Sequence, residues 1–205
     1  MIRDRAETRL HLLIVLVILA VVLAFVWYRR LNAPTSPGPS ATEASDSPAG
    51  LIYLQTDPRW RNDEIGGSGE RLESVGCVVC CICMALEQRG VHLNPRQLNE
   101  LLKVSDGYTK QGWVKWNTVS KVTGNKIAFQ IPETPNPALI DSALKDGRQV
   151  IAKVLIGKSV PHWVLIVGKE GSEYLVKDPL GNGRTLEKLS KYKSGIQAIR
   201  IVKAP

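Results

Sequence analysis

The stretch PHWVLIVGKEGSEYLVKDP, Pro161 to Pro179, reads as two short strands folded back on one another. His162 to Gly168 and Glu173 to Asp178 are rich in Val, Leu and Ile, and the Lys-Glu-Gly-Ser between them is a hairpin signal. A hairpin at this point makes the sheet antiparallel. It also carries a histidine and a carboxylate to one end. A turn centred between Glu170 and Gly171 sets His162 opposite Pro179 and Trp163 opposite Asp178; a one-residue bulge or turn variant sets His162 directly across from Asp178. In each register the two side chains stand at cross-strand Cβ spacing of about 4.5 to 5.5 Å or one diagonal further. A structural His–Asp pair and a base oriented for catalysis both fit that placement.

Outward from the hairpin, KIAFQI (126–131), QVIAKVLI (149–156) and IQAIRIV (196–202) repeat the pattern of short Val- and Ile-rich runs bounded by turn residues. The preceding half is helical in pattern. An unbroken run leads from Gly76 to Gly90, a C-cap. NPRQLNELLKV opens with Asn94 as N-cap and Pro95 at the first helical position, where its missing donor costs nothing. GWVKWNTVSKVTG (112–124) predicts a third helix with Trp113, Trp116, Val119 and Ser120 on one face, and NPALIDSALKDG (136–147) a short fourth. Helices first and strands second predict an α+β domain, its N-terminal helices packed on a C-terminal antiparallel β-sheet.

All four cysteines fall between Cys77 and Cys83. Cys77 follows Gly76 at the mouth of the first helix, where the positive end of the helix dipole and free backbone donors stabilise a thiolate. A glycine beside it lets a substrate backbone approach. His162 would complete a nucleophile–base pair with it. Cys80, Cys81 and Cys83 read as small buried apolar residues. A zinc site would need a second ligand pair at finger-like distance, and only the isolated His92 follows. Disulfides within one helix offer poor bridge geometry. No metal and no cofactor is therefore expected.

A Gln-containing segment, a Gly-Cys opening a helix, and then a distant His and Asp in that chain order resemble the papain-like cysteine peptidases. More narrowly, the chain resembles the double-glycine, bacteriocin-leader-processing peptidase family. The motifs carrying the likeness are YLQTDPRW, GCVVCCICMALEQRG with the following NPRQL, GYTKQGWVKW, HWVLIVG and YLVKDPLG, which together run across nearly all of 51–182. The resemblance implies the papain-like peptidase fold, with Cys77 as nucleophile, His162 as general base and acid, Asp178 as the residue orienting it, and Gln55 as an oxyanion-hole donor beside the Cys77 backbone N–H. Where relatives read closer to Gly-Cys-Gly-Pro-Thr, this chain has Val-Val-Cys-Cys after the nucleophile, so the pocket there is bulkier and more apolar. Gly76, Trp60, Trp113 and Trp163 are the expected lining of the substrate cleft, with Tyr108 and Trp116 as further candidates.

The 205-residue chain begins differently. Residues 1–9 form a short flank, and the run 10–28, LHLLIVLVILAVVLAFVWY, is long enough to cross a hydrocarbon core of roughly 30 Å as a helix. Its length and bulky end favour an uncleaved anchor over a signal peptide. Residues 29–50, rich in Pro, Ser and Ala, read as a tether, which leaves 51–205 as the peptidase-like domain. Five arginines against four carboxylates leave the first fifty residues one positive charge, so seven of the chain's eight belong to the domain. That surplus suits anionic lipid or cell-wall polymer, whereas the scattered basic residues form no nucleic-acid-binding stripe. The expectation is a single-pass membrane protein, the domain outside a bacterial inner membrane, acting on a peptide or polypeptide of the cell envelope. Two rivals use the same residues: a binding module that grips a peptide or cell-wall stem without cutting it, and an amidase or acyl transferase on peptidoglycan stem peptides.

Overall fold

The computed structural model of the chain describes residues 49–203. The expected membrane helix at 10–28 and nearly all of the tether lie outside them; within them, no helix is long and apolar enough to cross a membrane. Helices α1 (Leu72–Val75), α2 (Cys77–Glu87), α3 (Pro95–Val104), α4 (Trp116–Val122) and α5 (Pro137–Lys145) accompany six strands. The strands are β1 (Phe129–Gln130), β2 (Val150–Ile156), β3 (Val160–Glu170), β4 (Glu173–Lys177), β5 (Glu187–Lys188) and β6 (Ala198–Val202). They form one sheet in the order β1-β6-β2-β3-β4-β5, with every pairing antiparallel. The α+β class with an antiparallel sheet is as the sequence predicts.

Helix α2 is the spine. Eight consecutive residues from Val79 to Leu86 are buried, so the helix is apolar all round and belongs inside the domain. It has no side-chain N-cap. A missing cap costs about 1 kcal/mol, whereas each buried Leu, Ile or Met side chain contributes about 1.5–3 kcal/mol, so burial sets this helix. At its other end Gly90 takes the left-handed conformation at φ 67°, and Val91 N–H closes onto Leu86 O. Helix α3 relies on local chemistry instead, with Asn94 and Gln97 exchanging the two bonds of a capping box ahead of Pro95.

Alternation along the strands divides the apolar residues between two faces. Ile151, Leu165 and Val202 pack with α2 and its neighbours. Val150, Ala152, Val154, Val164, Ile166, Ile199 and Ile201 pack on the other face with Ile140 and Ala143 of α5.

Three local expectations are corrected. The third helix begins at Trp116, because Tyr108 and Val114 form a β-bridge closed by a turn in which Gly112 adopts φ 77°. Trp113 therefore lies off the helical face and is 71% exposed. KIAFQI yields only the two-residue β1, and β5 was not foreseen. In the β3–β4 hairpin Glu170 pairs with Glu173, so the turn centres between Gly171 and Ser172, one residue later than expected. Val167 then bulges out, and below it Ile166 pairs with Val176 and Leu165 with Lys177. Asp178 thus comes level with Val164, one diagonal from His162.

Candidate active site

Cys77 is the first residue of α2 and is 6% exposed. Gly76 joins it to α1 at φ −79°, an ordinary value, so this glycine is not needed for its torsion angle. It is needed for space. A Cβ there would stand 2.4 Å from Leu72 O and 2.7 Å from that residue's Cδ2, so the glycine allows α1 to feed directly into α2.

His162 enters near the start of β3 and is 2% exposed. Its Nε2 lies 2.7 Å from Asp178 Oδ1, which leaves Nδ1 free, and Cys77 is close enough to act on the ring. Burial by itself lowers the imidazole pKa; the hydrogen bond to Asp178 and the nearness of Cys77 and Asp178 outweigh it and raise it to about 9.

Asp178 is more heavily held than the sequence suggested. Besides His162, its Oδ1 accepts from Leu180 N–H at 2.9 Å. Its Oδ2 accepts from Tyr192 O–H at 2.5 Å and from Lys191 Nζ at 2.5 Å. Burial raises a carboxyl's pKa, but the bonds from His162, Lys191 and Tyr192 overcome it and hold Asp178 well below the usual carboxylate range. The Tyr192 ring also packs on the imidazole, centroids 5.6 Å apart. Lys191 and Tyr192 were missed in the sequence. Nothing in the spacing of SKYKS, more than a dozen residues past Asp178, signals that a short 3-10 turn at Leu189–Lys191 brings them back to it.

Gln55 is buried between the two halves of this arrangement. Its backbone N–H donates to Pro179 O at 3.0 Å, next to Asp178, while its Nε2 donates to Glu73 O at 2.6 Å, in the helix that leads to Cys77. Its Oε1 is buried with no partner. The side chain is therefore fixed with one N–H engaged and the second available.

The expected cleft aromatics separate. Trp60 is corrected: it is 1% exposed, edge-on to Tyr53 at 5.7 Å, with its indole N–H on Leu54 O. It is core. Tyr108 is likewise buried and bonded to Asn99. Trp113 stands in solvent on the loop before α4. Trp163 and Trp116 are half-buried against each other at 5.9 Å. Cys80, Cys81 and Cys83 are fully buried, and burial pushes all three thiols up. Cys81 donates to Trp163 O at 3.4 Å, which ties α2, one turn beyond Cys77, to the residue after His162.

The geometry joins a thiol at a helix mouth, an imidazole able to exchange a proton with it, and a carboxylate fixing the imidazole. That set can form and break acyl bonds. The Peptidase C39 family matches the chain over residues 71–202, which contain Cys77, His162 and Asp178 but not Gln55. No curated protein matches it. Among solved structures it is similar to a C39-like peptidase from Bacillus anthracis (15% identity, 75% of this chain and 98% of that one, TM-score 0.48). It is similar also to the peptidase domain of Streptococcus ComA, a bifunctional ABC transporter of a quorum-sensing pathway (15% identity, 76% and 98%, TM-score 0.48).

Proposed function

The chain belongs to the peptidase C39 family and is a cysteine-type peptidase; from that premise we propose that it cuts peptide bonds with Cys77, His162 and Asp178 in a papain-like arrangement. The observation that carries the assignment is Cys77 at the mouth of α2, close enough to act on a buried His162 that is bonded to Asp178 at 2.7 Å. His162 takes the thiol proton, and the thiolate attacks the peptide carbonyl. The C=O π pair moves onto oxygen, where the Cys77 backbone N–H and the free N–H of Gln55 Nε2 stabilise it. On collapse the C–N bond breaks and the imidazolium gives its proton to the leaving amine. Water then attacks the thioester, His162 accepts its proton, and the acid leaves as the thiol re-forms. Asp178 stays ionised throughout, keeping the ring's tautomer and orientation.

The peptide's surroundings are inferred from the sequence. The apolar run 10–28 and the Pro- and Ser-rich stretch after it support a domain tethered outside a bacterial inner membrane, acting on envelope polypeptides. A reporter fused at the C-terminus and active only in the cytosol would overturn that placement.

The chemical reading is tested by mild alkylation across pH. Cys77 is expected to react faster than its three buried neighbours, to stay reactive near pH 6, and to slow in His162→Ala. If Cys77 reacts no faster than Cys80, Cys81 or Cys83, the assignment fails.

A further inference from the structure

Arg200 carries a half-buried cation that the mechanism does not use. It lies on β6 between Ile199 and Ile201, which face the α5 side of the sheet, so Arg200 faces the α2 side, as Val202 does. Its guanidinium carbon lies 5.2 Å from the centre of the Trp116 ring and 5.4 Å from that of Trp163. Phe129 meets Trp116 edge-on, ring centroids 4.8 Å apart. The one hydrogen bond it makes among the described residues runs from Nη1 to Ile199 O at 2.8 Å, and its Nε is buried with no acceptor.

No carboxylate among the described residues pairs with this guanidinium, and burial pulls its pKa down. Two cation–π contacts of about 0.5–2 kcal/mol each offset part of its desolvation, and no opposite charge among the described residues supplies the rest. The local structure therefore holds a cation in a fixed orientation without supplying its counter-charge. A second cation, Lys153 on β2, pairs directly with Trp163 across the strands and so lies on the same face. Trp163 is the residue after His162, and its carbonyl takes the Cys81 thiol one turn along from Cys77.

We propose that Arg200, held between Trp116 and Trp163, is a specificity-determining residue that receives a carboxylate of the peptide substrate, from an aspartate or glutamate side chain near the scissile bond. The planar fork suits two parallel bonds to a carboxylate, and the flanking indoles keep it aimed. This rests on the peptidase reading above for its location, but it is tested by binding alone.

The test uses the full chain in mild non-ionic detergent, with Cys77→Ala to prevent cleavage. The probes are short amidated peptides with a single Glu stepped along the sequence, each with a Gln twin. The expected result is that at one position the Glu peptide binds tighter by about tenfold or more, the range of a charge-assisted bond. The preference should vanish in Arg200→Met and persist in Arg200→Lys; Arg200→Gln, closer in shape, serves where Arg200→Met does not fold. No Glu preference at any position, or one surviving in Arg200→Met or Arg200→Gln, overturns the proposal. A preference seen only with peptides bearing a free C-terminus also overturns it, in favour of a chain-end carboxylate. Cleavage of the same set by the unmutated chain is read separately: a Glu preference in binding with no cleavage would count against the peptidase chemistry and leave Arg200 standing.

Discussion

The most exacting test of the His162 environment is the pH dependence of stability. An ordinary histidine titrates near 6.5, and here the pKa stands at about 9. A pKa raised on folding means that the folded state holds its proton more tightly. The contribution is complete below about pH 6.5 and is lost as pH rises to about 9. At 1.36 kcal/mol per pKa unit, the gap is worth about 3 kcal/mol. The perturbation is His162→Gln, which keeps a polar side chain of similar reach and removes the titration. Urea unfolding of both proteins between pH 6 and 9.5, followed by tryptophan fluorescence, gives the difference in stability at each pH. Subtracting the variant removes the contribution of Cys80, Cys81 and Cys83, whose buried thiols also resist ionisation as the pH rises. The wild-type advantage is expected to shrink by about 3 kcal/mol from the acidic to the alkaline end of that window. An advantage that is flat with pH, or that grows towards alkaline pH, would refute a protonated imidazole between Cys77 and Asp178.

Tyr192→Phe removes one donor from Asp178 and leaves the ring on His162; it should cost about 1–3 kcal/mol of stability in urea unfolding, with Phe retaining the fold by near-UV circular dichroism, and an unchanged stability would mean that the bond to Asp178 contributes nothing. Gln55→Ala should lower kcat by about 10²–10³ with little change in KM, and a KM effect alone would place Gln55 outside the oxyanion hole. Gly76→Ala forces a Cβ onto the Leu72 carbonyl and should cost about 1–3 kcal/mol in thermal or urea unfolding; an unchanged Tm would mean that α1 yields freely.

Features governed by neighbours in the chain were legible in the sequence. Asn94, Pro95 and Gln97 announce the start of α3 because capping is a contact over three residues. The approach of His162 to Asp178 was legible because a hairpin fixes its pairs to within a residue or two. Features governed by the chain's return from afar were not. Lys191 and Tyr192 reach Asp178 through a turn with no periodic signal, and Arg200 looks from the sequence like an outward polar residue in a strand, although its face of the sheet is covered. Trp60 and Trp113 were misread for a related reason. Aromatic spacing gives no depth, and only the fold buries the first beside Tyr53 and leaves the second on a loop.

The bulge at Val167 divides the β3–β4 hairpin into two stretches that differ in their tolerance of length change. Toward the Gly171–Ser172 turn the strands run into solvent, where residues gained or lost in pairs would lengthen or shorten the hairpin tip and leave the histidine where it is. Between Val167 and His162 a single insertion or deletion would exchange the orientations of His162 and Trp163, since neighbouring strand residues point to opposite faces. Homologous chains should therefore vary in length at the tip and keep an invariant residue count from the bulge to the histidine.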